Sequence, residues 1–181
     1  VQLYSDAELV EMFATNAHLK RVRDTDRCQL AQDIEAQAEL ERRPTYQFLY
    51  GDMMAWGVCY DRDPELGLLY MEKAAQHGLL EALEQLGRYY HEGVLVQKDI
   101  ERAILYLREA ASLGNLPAQR RFADILLADE GSPYDYEKAY HWLHNSITAD
   151  KRTYADIEQK LAKLAERMPP SVVEKAKRPL D

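Results

Sequence analysis

His141 and His144 stand three residues apart, a spacing that puts two imidazoles on one helix face within reach of a single metal ion. No carboxylate or thiol set accompanies them, so they read as surface histidines. His91 beside Glu92 has the residue types of a general base, but at a helix end the pair reads as a solvated face. Asp61-Arg62-Asp63 looks like a piece of a calcium loop without its ligand spacing, and helix capping accounts for Asp63. Glycine-rich phosphate loops and nucleophile elbows are missing from the sequence. The expectation is a protein that is not an enzyme and uses no metal or cofactor. Cys28 and Cys59 are its two cysteines, with no CxxC motif. As a bare pair they leave two readings open, buried thiols or one disulfide.

These residues must be held by 181 residues, 46% hydrophobic and 30% charged, enough for one domain with a real core. Thirty-one acids against 23 bases give a net charge of -8, which argues against nucleic acid as a partner. No apolar run approaches the roughly 18 residues of a membrane span. The chain starts at Val1 without a methionine, as a mature or trimmed protein would, and a removed export signal would leave no trace in it.

The organisation lies in a repeat. Sliding the chain by 36 residues places 51–82 on 87–118 with 12 identities in 32 positions, among them Gly51 on Gly87, Gly57 on Gly93, Asp63 on Asp99 and Tyr70 on Tyr106. A second slide puts Asp135, Glu137, Ala139 and Trp142 on Asp99, Glu101, Ala103 and Tyr106. Each copy reads as two helices. In the second copy Ala82, Leu86 and Tyr90 form one face of the first helix. Gly93 stops that helix, Asp99 caps the next, and Ala103, Tyr106, Ala110 and Ala111 are its buried side. Gly87 inside a helix costs about 1 kcal/mol, which a close helix crossing would justify.

Ala82, Leu86, Gly87, Tyr90, Gly93, Val96, Asp99, Ala103, Ala110, Ala111 and Gly114 resemble the Sel1-like repeat, a relative of the tetratricopeptide repeat. The resemblance covers about 45–152. It implies an all-α fold, a right-handed αα-superhelix or solenoid with N- and C-terminal capping helices. The segments expected are a helical cap over 1–42, repeats over 43–152 (about 45–80, 81–116 and 117–152) and a capping helix with a tail over 153–181. The second loop glycine of the family is Cys59 in one copy and Leu95 in the next, so the loop is expected to differ there. Family members are adaptors and scaffolds, so fold alone says little of function.

In the flanks, 5–21 reads as an amphipathic helix capped by Ser5 or Asp6, and Asp26 to Arg42 as a second, stopped by Pro44. Tyr154 to Arg167 reads as one more. The charged tail from Ser171 to Asp181 is expected to be mobile until bound.

The runs Val1 to Glu8 and Tyr50 to Cys59 further resemble a family of motor proteins of polar-flagellated bacteria. That resemblance implies an exported periplasmic scaffold in a ring around the flagellar basal body, with MotY and the stator subunit PomB as protein partners, recruiting or anchoring stator units. It also implies that Cys28 and Cys59 are joined as a disulfide. Another exported adaptor of envelope assembly, or an enzyme acting on cell-wall-type ligands, is the alternative. In related helical-pair repeats the first helices line a concave groove. The counterpart positions here are Phe48, Asp52 and Trp56, then Glu84, Arg88, His91 and Glu92, then Arg120 and Asp124. Phe48 and Trp56 are the expected anchor of a peptide site, unless Trp56 packs under the N-terminal cap.

Overall fold

The computed structural model describes residues 3–180; Val1, Gln2 and Asp181, the ends of the expected cap and tail, lie outside the described residues. Every regular element among the described residues is a helix. The chain divides into two compact units, Val1–Leu86 and Gly87–Asp181. The first holds 16 acids against 8 bases and the second 15 of each, so the net charge belongs to the first.

In the first unit α1 (Asp6–Ala14) opens with a reciprocal cap: Ser5 Oγ accepts from the Glu8 backbone N–H at 3.1 Å, and Glu8 Oε2 accepts from that of Ser5 at 3.0 Å. The helix expected over 5–21 breaks after Ala14. The Thr15 hydroxyl turns back onto the Glu11 carbonyl at 3.3 Å, and Asn16 takes a left-handed φ of 54°. The chain restarts as α2 (His18–Lys20) and runs into one π-turn, Arg21–Thr25.

The helix expected from Asp26 begins later, as α3 (Ala31–Glu39). Arg27 and Cys28 have φ of 50° and 60°, which no right-handed helix accepts. Asp26 does not cap it; its carboxylate accepts from the Tyr4 hydroxyl and from Arg21 Nε.

Pro44 sits at the first helical position of α4 (Pro44–Trp56), where its missing N–H costs nothing. Every residue of α4 from Thr45 to Ala55 is buried, so α4 is the axis of this unit rather than an amphipathic surface helix. α1, α2, the π-turn and α3 wrap it, with Leu9, Val22, Ile34 and Ala38 entering the core around Tyr46, Leu49, Tyr50 and Met53. α5 (Pro64–Gln76), capped by Asp63 Oδ1 on the Leu66 N–H at 3.1 Å, crosses it backbone to backbone. A Cβ added to Gly51 would stand 2.6 Å from the Gly67 carbonyl oxygen, and one added to Gly67 2.5 Å from that of Gly51.

The boundary between the units falls inside α6 (Leu80–Glu92). In the second unit α7 (Ile100–Ser112) is capped by Asp99, which accepts from the Arg102 N–H at 3.1 Å. Ala103, Ala110 and Ala111 are fully buried on it, as expected. The space opposite Gly87 is taken by the Leu107 side chain, 2.5 Å from where a Cβ would be. Tyr106 is half-buried and stacks on Tyr90 with centroids 6.0 Å apart. α8 (Leu116–Leu127), a 3-10 turn, α9 (Tyr136–His144) and α10 (Lys151–Glu166) follow around Phe122, Ala123, Leu126, Leu143, Ile157 and Leu164.

At the second loop-glycine position Cys59 and Leu95 hold φ of 64° and 62°, a left-handed conformation that glycine adopts most readily, two residues after Gly57 and Gly93 at 70° and 73°. In the third copy the first glycine position is Asp129, and it too is left-handed at 59°. The tail is not free of the protein. Pro170–Ala176 form α11, with Ala176 fully buried and Val173 packed on the second core.

Candidate interaction surface

Cys28 and Cys59 are bonded, with Cα atoms 5.5 Å apart and a sequence separation of 31. The bond ties the turn before α3 to the loop after α4. Both residues lie in the left-handed region, so two non-glycine residues hold a conformation that costs roughly 1–2 kcal/mol each.

Phe48 and Asp52, expected to line an open groove, are 1% and 2% exposed. The first-unit wrapping explains the correction. Phe13 stands edge-on to Phe48 at 4.5 Å, and α2 brings His18 over both. His18 Nε2 donates to Asp52 Oδ2 at 2.5 Å, and Gln85 Nε2 donates to Asp52 Oδ1 at 2.9 Å. His18 Nδ1 is buried with no hydrogen-bond partner among the described residues. These side chains seat the N-terminal segment on α4 and offer no surface. Trp56 ends α4 with 43% of its surface exposed, and Glu84 is half-buried.

In the second unit Arg88 is half-buried, with its guanidinium 5.2 Å over the Tyr89 ring. His91 Nδ1 accepts from Arg121 Nη1 at 3.1 Å. Burial first, and then the Arg121 charge, push the His91 ring below its ordinary value, which keeps it an acceptor. Arg121 also reaches Glu92 Oε1 at 2.8 Å. Arg120 Nε donates to Asp156 at 2.8 Å, and Lys160 bridges Asp156 at 2.5 Å and Asp124 at 2.8 Å. Burial opposes the Asp156 charge, but the bonds from Lys160 and Arg120 outweigh it and hold the carboxyl below its usual range.

The expected surface residues Glu92, Arg120 and Asp124 are therefore members of a ladder of ion pairs across α6, α8 and α10. Arg121, Asp156 and Lys160 were not among the expected residues. The signal was available: Asp156 and Lys160 lie 36 residues beyond Arg120 and Asp124, so α10 keeps the repeat register that it was expected to leave.

The two helix histidines have other work. His141 Nδ1 lies 3.1 Å from the Ala176 carbonyl at the end of α11, and His144 stacks on Tyr140 at 5.9 Å. Among the described residues no group of three or more His, Cys, Asp or Glu is arranged to hold a metal. No helix among them is long and apolar enough to cross a membrane.

The Sel1 repeat matches residues 44–79, 80–115 and 116–150. Over 178 residues, 98% of this chain and 84% of the other, the sequence is 57% identical to the sodium-type polar flagellar protein MotX of Vibrio parahaemolyticus serotype O3:K6 (strain RIMD 2210633). The chain is a Sel1-repeat protein of the MotX family. The MotX likeness runs beyond the repeats into the wrapping helices and the C-terminal end, where the repeat profile does not reach.

Among solved structures, a Sel1 repeat protein from Oxalobacter formigenes is 20% identical with a TM-score of 0.63, covering 71% of this chain and 97% of that one. A protective antigen present in uropathogenic Escherichia coli strains, displaying an SLR fold, is 18% identical with a TM-score of 0.54, covering 94% of this chain and 42% of that one. At these identities the likeness concerns the fold: an all-α helical repeat.

Proposed function

We propose that the chain is a non-enzymatic component of a sodium-driven polar flagellar motor. It acts as a periplasmic scaffold in a ring at the basal body, built with MotY, that recruits or anchors stator units through PomB. The observation that carries this reading is the 57% identity to a polar flagellar protein over nearly the whole chain. Sel1 repeats, whose helix pairs present side chains rather than a reaction centre, suit protein partners. The Cys28–Cys59 bond supports an oxidising compartment, because a disulfide persists there and not among cytosolic reductants. In the first unit Trp56 is the residue we assign to partner contact, as the exposed aromatic of α4.

The test is deletion of the gene in a motile, polar-flagellated strain, with swimming speed and the localisation of a fluorescent PomB as readouts. The expected result is paralysed cells whose flagella are still built and whose polar stator foci are lost, restored by the wild-type gene. Trp56→Ala should remain folded by circular dichroism and restore motility poorly. Normal swimming and normal foci in the deletion strain would overturn the assignment.

A further inference from the structure

Residues 5–20 lie against α4 as a strap, first α1 and then α2. Beneath them an aromatic ring and a carboxylate, Phe48 and Asp52, stand one turn apart on α4. Phe13 meets the ring edge-on at 4.5 Å, and His18 Nε2 meets the acid at 2.5 Å. We propose that the strap is displaceable and that the face under it is a docking site for a basic, aromatic segment of another protein. The site deepens the protein-partner reading above and stands apart from the motor assignment, which survives its failure.

Three observations converge. The first is incomplete bonding within the strap. His18 Nδ1 is buried with no hydrogen-bond partner among the described residues. That arrangement is costly while the strap is closed and is relieved once water reaches the ring. α2 is three residues long and has no side-chain cap, so it has little helical stability of its own.

The second is charge. The strap carries Asp6, Glu8 and Glu11 against Lys20, in a unit whose other residues hold 13 acids and 7 bases. Among the described residues Asp6 is the one acid of the strap that pairs with a base, Arg43 at 2.7 Å. Strap and body therefore repel, and a basic segment in the same place would be attracted. Glu8 and Glu11 are exposed, so a segment with lysines there gains the charge term without disturbing the apolar seat.

The third is the backbone. Asn16, at φ 54°, separates α1 from α2, and the π-turn Arg21–Thr25 follows directly. Both interrupt the regular helical bonding at the end of the strap. Beyond them the Cys28–Cys59 bond fixes the chain to the loop after α4, so the strap can lift as a local opening while α3 stays in place. Gln85 Nε2 donates to Asp52 Oδ1 at 2.9 Å from α6 and goes on holding that carboxylate when the strap leaves. The fitting occupant brings a ring for Phe48 and a cationic donor for the Asp52 oxygen that His18 held.

Fluorescence anisotropy on the full chain tests this with three labelled peptides. One copies residues 4–20. The second, the basic probe, is that copy with Glu8→Lys and Glu11→Lys. The third is the basic probe with Phe13→Ala and His18→Ala as well. The basic probe should bind saturably, at least tenfold more tightly than the plain copy, and should lose tenfold or more without its ring and imidazole. A chain carrying His18→Ala has a loosened strap and should bind the basic probe about tenfold more tightly than the wild-type chain, because apparent affinity follows the fraction that is open. Native-state hydrogen exchange on the wild-type chain needs no variant. Amides of α1 should exchange together, at least tenfold faster than those in the middle of α4. Exchange of α1 only along with the α4 core, equal binding of the second and third peptides, or equal binding by wild-type and folded His18→Ala chains would each overturn the proposal. So would a His18→Ala chain that dimerises and ignores the probe, since the seat would then belong to a second copy.

Discussion

Breaking the Cys28–Cys59 bond tests whether α1, α2 and α3 stay on α4 by packing alone. The bond closes a loop with a sequence separation of 31 residues. Loop-closure entropy for that length corresponds to about 3.5 kcal/mol at 25 °C. Against a total stability of roughly 5–15 kcal/mol, that is a large fraction. In a domain of this size it lowers the melting temperature by roughly 7–14 °C.

Cys28→Ser and Cys59→Ser should each show this drop, and the double variant should fall no further, because either change opens the same loop. The structure adds a finer expectation. Cys59 holds φ at 64°, so Cys59→Gly loses the bond but regains part of the left-handed cost and should melt above Cys59→Ser by about 1 kcal/mol equivalent. The assay is thermal denaturation by circular dichroism, with and without reductant, alongside alkylation and mass spectrometry of the unreduced protein. Two free thiols per chain, or a melting temperature that reductant moves by less than about 2 °C, would refute the reasoning.

Three further outcomes are expected. Gly67→Ala should cost more than about 2 kcal/mol in urea denaturation, because its methyl would stand 2.5 Å from a carbonyl of α4 and neither backbone can retreat. Arg27→Gly should raise stability by about 0.5–1 kcal/mol and Arg27→Ala should not, since this exposed residue sits at φ 50° and glycine alone removes that cost. Asp156 is held below its ordinary value of 3.8 in the fold, so its contribution is complete above that value and is lost as pH falls through the lower, folded one. Lys160→Met should therefore flatten the acid limb of a stability-against-pH curve below about pH 4, and an unchanged limb would show that the ladder does not hold that charge.

Much of the repeat was legible because its positions are set by local rules. Asp63 and Asp99 cap helices, Pro64 and Pro44 start them, and glycines stop them, whatever surrounds them. The wrapping helices were not legible in the same way. Helical periodicity runs through 5–21, but Asn16, and farther on Arg27 and Cys28, adopt conformations set by tertiary partners: the disulfide, the Tyr4–Asp26 bond and the seat of His18 on Asp52. Phe48 and Asp52 were misjudged for the same reason. Repeat position makes them surface residues of α4, and only the fold of the preceding 40 residues covers them. The tail was misjudged on composition. Lys175 on α11 and Arg178 just beyond it meet Glu137, while Val173 and Ala176 pack on the second core.

The departures from the repeat tell more about this chain than the repeat does. A loop that keeps its left-handed geometry at Cys59, Leu95 and Asp129 without glycine has a backbone dictated by the helices on either side, so the residue there is free to take another task. In the first copy that task is the bond to Cys28; in the third, Asp129 pairs with Arg167 at 2.7 Å. The same logic governs the charged positions of the second unit. Arg120 with Asp156, and Asp124 with Lys160, pair across a separation of 36 residues, the repeat length itself. Opposite charges at one repeat position in successive copies bond only when those copies stack in register, and like charges would oppose it. Lys160, 8% exposed and bonded to both carboxylates, is the point at which a wrong register would leave a buried cation without a partner. The ladder therefore specifies how the last repeat meets its terminal helix, while apolar contacts around Phe122 and Leu164 supply the adhesion.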